Sequence, residues 1–346
     1  MRRRYAARST GTFDLLSEAG RDCVGAIQLL PPDDTPVPPA PWQGLALDEA
    51  GVAARLRAAR IGAFPGSVDD QGFRISLAGA QEKTALLCVD GVWHEPIGST
   101  PTTHILKLPL GRVGMEGVDP STSVANEWLC LKLLGETGMP VAKASLERFD
   151  RRFASDGMTL LRLPQEDACQ ALGLPSAAKY EADGGPGIER MMALWPGSRV
   201  PTSDRERFFA AQLLFWLMAA PDGHTKNFSL FLERGGRYSM TPLYDVMSVW
   251  PYMGGSGLQK QKVTLAMGWH GRNRHFRWND IGIRHVRDTA RRCGLEARLP
   301  SLLEELHDRV TGAIERCAGD LPPDVPDTIV EPILSRTRDM LDRLVS

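Results

Sequence analysis

The sequence predicts an α+β fold in two lobes, a small mixed, β-rich N-terminal lobe and a mainly α-helical C-terminal lobe. Three observations carry that reading. From Phe73 to Pro109 the texture is that of strands, with Asp90-Gly91 between two of them as a two-residue hairpin signal. Ser123–Glu136 then reads as a helix, closed by Gly138 and Pro140. Beyond about residue 150 the pattern turns helical and includes a long apolar run, Phe208–Ala220. A chain of 346 residues is long enough for two lobes and too long for one small core. The boundaries drawn on this basis are a first segment over 1–65, the small lobe over 66–149 and the helical lobe over 150–346.

Taken in order, the chain opens with a compact run, Phe13–Glu18, ending in Gly20, and a second run, Val24–Leu29, that looks like a strand. The proline-rich stretch Pro31–Pro39 is neither helix nor central strand and reads as a linker. Asp48–Ala59 has helical composition, and Asp48 is a good N-cap. Thr84–Val89 and Val92–Pro96 form the hairpin, and Thr103–Leu108 is a further short strand carrying Lys107. In the second lobe Ser203-Asp204-Arg205-Glu206 has the form of a capping box ahead of the helix Phe208–Ala219. Tyr238–Asp245 reads as a strand ending in an aspartate, and Ser301–Cys317 and Thr328–Leu344 are amphipathic helices.

Composition narrows the function classes. A net charge of -1 gives no global attraction to nucleic acid or membrane. The six cysteines are scattered, with no C-x-x-C pair and no Cys/His cluster, as expected of idle thiols in a reducing cytosol. The basic start, Met1–Tyr5, is not followed by an apolar signal core. No stretch approaches the ~20 apolar residues that span a bilayer. A cytoplasmic protein without membrane contact is expected.

The chemistry concentrates where the apolar helix ends, in Pro221-Asp222-Gly223-His224-Thr225-Lys226-Asn227. An Asp followed five positions later by an Asn on a loop suits phosphoryl transfer: the carboxylate takes the proton of an acceptor hydroxyl, and the amide oxygen holds magnesium. Asp245 adds a second carboxylate able to bridge metal and phosphates. Alone, Asp222-Gly223 is a turn and Asp245 a solvated strand end; the order D-x-x-x-x-N followed by Asp favours an enzyme. Ser76–Thr84 is a small-residue loop entering a strand, open to phosphate oxygens but neither a Walker A loop nor G-x-G-x-x-G. Lys107 within an apolar strand is either an exposed edge residue or, with Glu127 on the next helix, the lysine–glutamate ion pair that positions phosphates. His224 is expected to bond within its loop or touch nucleotide, while His94, His104, His270 and His275 have no ligand spacing. Arg162, Glu166 and Asp167 fit a substrate groove or a structural salt bridge equally. Arg272–Arg277, with Phe276 and Trp278, reads as a solvated loop rather than a nucleic-acid contact.

The strings FDLLSEAGRDCVGAI, FRISLAGAQEKTALL, TPTTHILKLPLG, ERFDRR, LLRLPQEDACQALGLP, KYEADGGPGI, PDGHTKNFSL and TPLYDV resemble the HipA family of bacterial toxin kinases, in order and from about residue 5 to the C-terminus. The resemblance implies a two-lobed protein-kinase-like fold acting with ATP and magnesium. It implies Asp222 as catalytic base and Asn227 and Asp245 as metal ligands. Lys107 would contact the phosphates, with Ala78, Gly79, Ala80, Gln81, Glu82 and Lys83 as the nucleotide loop and Glu127 paired to the strand lysine. Glu147, Arg148 and Phe149 would line the adenine hinge, and His224 and Tyr244 would also meet nucleotide. Ser76 would be an inactivating autophosphorylation site. The implied acceptor is a serine of an aminoacyl-tRNA synthetase, of the glutamyl-tRNA synthetase type, so that translation is inhibited.

The implied partner is a HipB-like helix-turn-helix antitoxin that carries the toxin onto operator DNA. Two departures stand out. The chain begins almost at the FDLL string, like the shorter relative HipT, which implies completion by a separate HipS-like chain. The approach to the hinge is reduced to Met139–Leu146. These departures support an alternative, a catalytically impaired toxin acting as an antitoxin-bound, DNA-associated corepressor. A small-molecule kinase of aminoglycoside type shares the catalytic logic but lacks the extended strings.

Overall fold

The computed structural model describes residues 9, 13–14, 20, 22–29, 40–61, 81–110, 120–143, 147–254 and 257–345. It divides into two compact units, residues 1–110 with 145–165, and residues 111–144 with 166–346.

Unit 1 holds β1 (Gly44–Leu47), α1 (Glu49–Ile61), β2 (Lys83–Val89), β3 (Val92–Pro96) and β4 (His104–Lys107). The strands form one antiparallel sheet in the order β1-β3-β2-β4. Asp90 and Gly91 both have positive φ, 50° and 81°, the backbone of the expected two-residue hairpin turn. β2 is interior to the sheet, and its Ala85, Leu86 and Leu87 are fully buried. Asp48 caps α1 as expected, its Oδ1 accepting from the Gly51 amide at 2.7 Å. A second hairpin, β5 (Arg151–Phe153) with β6 (Leu160–Arg162), completes the unit.

The expected strand over Val24–Leu29 is absent: the segment forms bends and turns. Gly25 takes φ 75°, which breaks an extended run. The backbone polar groups nearby bond to side chains instead of a neighbouring strand. The Gly25 amide donates to Asp150, and the carbonyls of Cys23 and Gly25 accept from Arg151.

Unit 2 begins with α2 (Ser123–Glu136), and β7 (Gln165–Asp167) carries the chain back into it. There follow α3 (Ala168–Ala171), α4 (Ile188–Met192), α5 (Pro201–Leu217), β8 (Ser229–Leu232), β9 (Tyr238–Met240), β10 (Thr264–His270), β11 (Arg274–Arg277), α6 (Ile283–Arg292), α7 (Leu299–Gly319) and α8 (Asp327–Val345). α2, α7 and α8 pack on one another. α5 is buried on all sides from Phe208 onward, as a helix apolar all round must be. Its Phe208 and Phe209 join Trp195, Phe228 and Trp269 as the bulkiest fully buried side chains.

Three expectations need correction here. The capping box at Ser203–Glu206 does not form, because Pro201 takes the first helical turn and the helix begins before Ser203. Asp245 does not end a strand: β9 stops at Met240 and Asp245 follows on irregular backbone. Arg272–Arg277 is not simply a solvated loop, since Arg274 to Arg277 form β11 and Arg274 pairs with Glu181 and Glu189. Among the described residues no helix is long and apolar enough to cross a membrane. All six cysteines are free thiols.

Candidate active site

The site in unit 2 is built by the way α5 ends. Ala219 sits just past the helix with φ 45°, and the Ala220 amide returns to the Phe215 carbonyl at 2.8 Å. This is the left-handed stop that usually calls for glycine. Pro221 cannot continue the helix, and its carbonyl accepts from the Ala266 amide on β10 at 2.9 Å. Gly223 follows because a Cβ there would lie 2.4 Å from the Phe215 ring. The loop is thus pressed onto the helix it leaves, and Asp222 projects outward. Thr225–Asn227 then make one 3₁₀ turn into β8.

Asp222 is the exposed member, its side chain 56 % accessible. Tyr180 Oη donates to its Oδ1 at 2.6 Å. His224, two residues on, is buried, and its Nε2 lies 2.9 Å from Lys179 Nζ. An ammonium can only donate, so Nε2 accepts and the imidazole proton sits on Nδ1, which is buried without a hydrogen-bond partner. Burial pushes the His224 pKa down and Lys179 adds to the effect, while Asp222 opposes it. A neutral imidazole results.

Asn227 and Asp245 are brought to the same loop. The Asn227 side-chain amide donates to the backbone carbonyls of Asp222 at 2.9 Å and Asp245 at 3.3 Å. These two bonds use the side-chain nitrogen and leave Oδ1, a hard oxygen, as the atom able to meet a metal ion. Asp245 has φ 59°, a conformation that costs a non-glycine residue about 1–3 kcal/mol. The surroundings enforce it: Ser248 exchanges hydrogen bonds with the Asn126 side chain at 2.7 and 2.9 Å, and the Val249 amide donates to the Ala219 carbonyl at 2.8 Å.

Asp222 and Asp245 line one shallow, solvent-open recess with Phe215, Ala220, Gly223, Val246 and Met247. Magnesium is typically held by one or two carboxylates plus substrate phosphates. The Asp245 carboxylate, with the Asn227 amide oxygen beside it, fits that donor set. Among the described residues no group of three or more His, Cys, Asp or Glu side chains is placed to hold a metal ion by protein ligands alone. The Tyr244 hydroxyl donates to the Lys226 carbonyl at 2.7 Å and lies 2.6 Å from Ser229 Oγ. Glu127 is buried on α2.

Unit 1 holds the other expected nucleotide residues, except that Ser76, Ala78, Gly79 and Ala80 lie outside the described residues. Lys83 on β2 stands opposite Lys107 on β4 in the antiparallel register, so both side chains leave one face of the sheet. Gln81 and Glu82 extend the pairing, with Gln81 Nε2 donating to the Leu108 carbonyl at 2.7 Å and the Leu108 amide to the Glu82 carbonyl at 2.9 Å. Glu147 bridges to His104, and the Arg148 amide donates to the Thr103 carbonyl at 2.7 Å.

The expected hinge stretch therefore runs beside β4. Phe149 is half-buried, but the Arg148 side chain turns inward, to Asp150 at 2.8 Å and Asp22 at 3.2 Å. Arg162 joins that network at Asp22, and Asp167 pairs with Lys226, so two of the three charged groups near Leu161–Asp167 make salt bridges. Lys179 and Tyr180 were not singled out from the sequence. They lie in the string KYEADGGPGI, and no local pattern ties them to a loop more than forty residues away.

A family model described as the HipA-like C-terminal domain matches residues 75–315. The chain is 36 % identical over 255 residues to Y4mE of Sinorhizobium fredii, provisionally named a kinase, across 69 % of this chain and 58 % of the relative. It is 28 % identical over 260 residues to the serine/threonine-protein kinase toxin HipA of Shewanella oneidensis, across 69 % of this chain and 57 % of that protein. The chain thus spans less than three-fifths of the length of these curated relatives. Among solved structures, the HipA, HipB and operator DNA complex of Shewanella oneidensis superposes with a TM-score of 0.77 at 25 % identity, covering 98 % of this chain and 80 % of that one.

Proposed function

The chain belongs to the family of HipA-like C-terminal domains, and on that premise we propose that it is an ATP-dependent serine/threonine protein kinase. The observation that carries the proposal is the single recess lined by Asp222 and Asp245, with the Asn227 amide held against the backbone of both. In this reading Asp222 accepts the proton of the acceptor hydroxyl. Asn227 and Asp245 hold magnesium, which when bound neutralises charge on the transferring phosphates. Lys83 and Lys107 are assigned to the nucleotide phosphates, with the loop from Ala78 to Glu82. Glu147 to Phe149 are assigned to the adenine hinge, through backbone rather than through Arg148's committed guanidinium.

The wider biology is inferred from the relatives. Shewanella oneidensis HipA is a kinase toxin solved with HipB and operator DNA, which supports a HipB-like antitoxin as partner and DNA as an indirect one. An aminoacyl-tRNA synthetase as acceptor, Ser76 as an autophosphorylation site and a HipS-like companion rest on the sequence resemblance.

The test is phosphotransfer from radiolabelled ATP with magnesium, comparing wild type with Asp222→Gln. The expected loss is roughly 10²–10⁴-fold, the usual contribution of a general base. Equal incorporation by the two proteins would remove Asp222 from its role. Wild type that binds an antitoxin but transfers no phosphate would favour the corepressor reading.

A further inference from the structure

We propose that Tyr180 is the positioning residue of this centre, holding the Asp222 carboxylate so that Oδ2 is presented to the acceptor hydroxyl. The inference rests on the reading of Asp222 as general base and names what aims it. A carboxylate more than half exposed at a turn is free to rotate about its side-chain bonds. Among the described residues, Tyr180 Oη supplies its one hydrogen bond, to Oδ1 at 2.6 Å. His224 Nε2 is 4.0 Å from Oδ2, beyond hydrogen-bonding reach. One oxygen is thus anchored and the other left open. A short hydrogen bond onto a charged oxygen is among the stronger kinds available.

The phenol is itself fixed, as an orienting group must be. The amides of Asp183 and Gly185 donate to the Tyr180 carbonyl at 3.1 and 2.9 Å. Gly185 makes that turn possible, because a Cβ there would lie 2.3 Å from the Ala178 carbonyl oxygen and 2.6 Å from that of Tyr180. On the other side, Thr225 of the catalytic loop donates its amide and its hydroxyl to the Lys179 carbonyl at 3.2 and 3.1 Å. The ring meets His224 edge-on at 5.1 Å, and Lys179 Nζ lies 4.7 Å from its centroid. Tyr180 and Asp222 are therefore parts of one laced assembly. Burial, and then the bond to Asp222, raise the Tyr180 pKa, so the hydroxyl keeps the proton that it donates to Asp222.

In the step served, the acceptor oxygen forms a bond to the γ-phosphorus. The bond from that phosphorus to the bridging oxygen breaks, its electron pair leaving on ADP, and the acceptor proton passes to Asp222 Oδ2. Misaiming the base by about 1 Å is enough to slow such a step by as much as 10²-fold.

The full chain is tested with magnesium and γ-labelled ATP, following the rate constant of incorporation into the chain itself and nucleotide affinity by calorimetry. Tyr180→Phe is expected to lower the rate constant roughly ten-fold, below the ~10²–10⁴ of the base itself. Nucleotide affinity should stay within about two-fold, because the change acts through Asp222 and not on binding. Replacement of Tyr180 by 3-fluorotyrosine, which keeps the hydroxyl, should restore most of the rate; a purely packing role predicts full activity for Phe as well. An unchanged rate in Tyr180→Phe overturns the inference while leaving the kinase reading intact. A faster rate also overturns it, since Tyr180 would then be competing with the acceptor. No incorporation by wild type removes the kinase reading and this inference with it.

Discussion

Gly223 follows the proposed base for a reason of space. A Cβ would lie 2.4 Å from Phe215 Cδ2 and 2.7 Å from Cε2, and Phe215 is itself buried against Phe228 with ring centroids 5.9 Å apart. The ring cannot retreat, so a methyl group must lift the loop. Gly223→Ala is expected to cost about 1–3 kcal/mol, the usual penalty for overpacking a well-filled site. It should also slow phosphotransfer more than the loss of stability explains, because Asp222 and the Asn227 contact to its carbonyl move together. A denaturant midpoint and a transfer rate both equal to wild type would show that the loop does not press on Phe215 as described. The same residues show what a linear reading can reach. Asp222, Asn227 and Asp245 were legible because their spacing is itself the signal. Tyr180 was not, because its relation to Asp222 spans 42 residues and exists only as a hydrogen bond.

At the scale of elements, the start of α5 illustrates how a plausible local pattern loses to a tertiary one. Ser203 and Glu206 have the form of a capping box, but Ser203 is exposed within the helix and Glu206 pairs with Arg298 at 3.1 Å. The buried group is Asp204. It accepts from the Ser198 hydroxyl, from the Met240 amide at 3.0 Å and from Arg207 Nη1 at 3.0 Å. Asp204 thus ties the first turn of α5 to the end of β9, from which the chain runs on to Asp245. Breaking a buried charged pair by removing one partner typically costs about 3–5 kcal/mol, and Arg207, partly exposed, moderates that toward the lower end. Asp204→Asn is expected to lose about 2–4 kcal/mol in chemical denaturation, against less than ~0.5 for Ser203→Ala as an ordinary surface change. The reverse ranking would restore the capping box. Elements with purely local determinants were legible to within a residue or two. The hairpin around Asp90-Gly91, the Asp48-capped α1 and α2 all needed nothing beyond their own neighbours. Val24–Leu29 failed because Gly25 turns with positive φ and its amide and carbonyl are satisfied by Asp150 and Arg151 side chains more than a hundred residues away.

Across the whole molecule, that long-range satisfaction decides how unit 1 is assembled from two separate stretches of chain. Asp22 from the first stretch meets Arg148 at 3.2 Å, Arg151 at 2.8 Å and Arg162 at 3.4 Å from the second, and Asp150 joins Arg148 and Arg151 at 2.8 Å each. Except for Arg162, these side chains are at most 5 % exposed. Burial by itself would raise the Asp150 carboxyl, but Arg148, Arg151 and the Gly25 amide outweigh it and hold it at about 2, against an ordinary 3.8. Asp22 is lowered too: burial would raise it, but Arg148, Arg151, Arg162 and the Thr102 hydroxyl outweigh burial. A carboxyl depressed in the folded state contributes stability that is fully present above its unfolded pKa and disappears as pH falls through its folded one. For Asp150 the window runs from about pH 4 down to about 2, and the shift corresponds to on the order of 2 kcal/mol. Acid weakens many carboxylates at once, so the informative quantity is a difference. Asp150→Asn should be less stable than wild type at pH 7 by several kcal/mol, because Arg148 and Arg151 lose a buried counter-charge. As pH is lowered from 4 to 2 the gap should narrow, since wild type is then losing by protonation what the variant never had. Urea midpoints read from amide protection over residues 151–162 would follow unit 1 specifically. A gap that stays constant from pH 7 to 2 would mean that the network joining the two stretches is held by shape and hydrogen bonding rather than by the charge on Asp150.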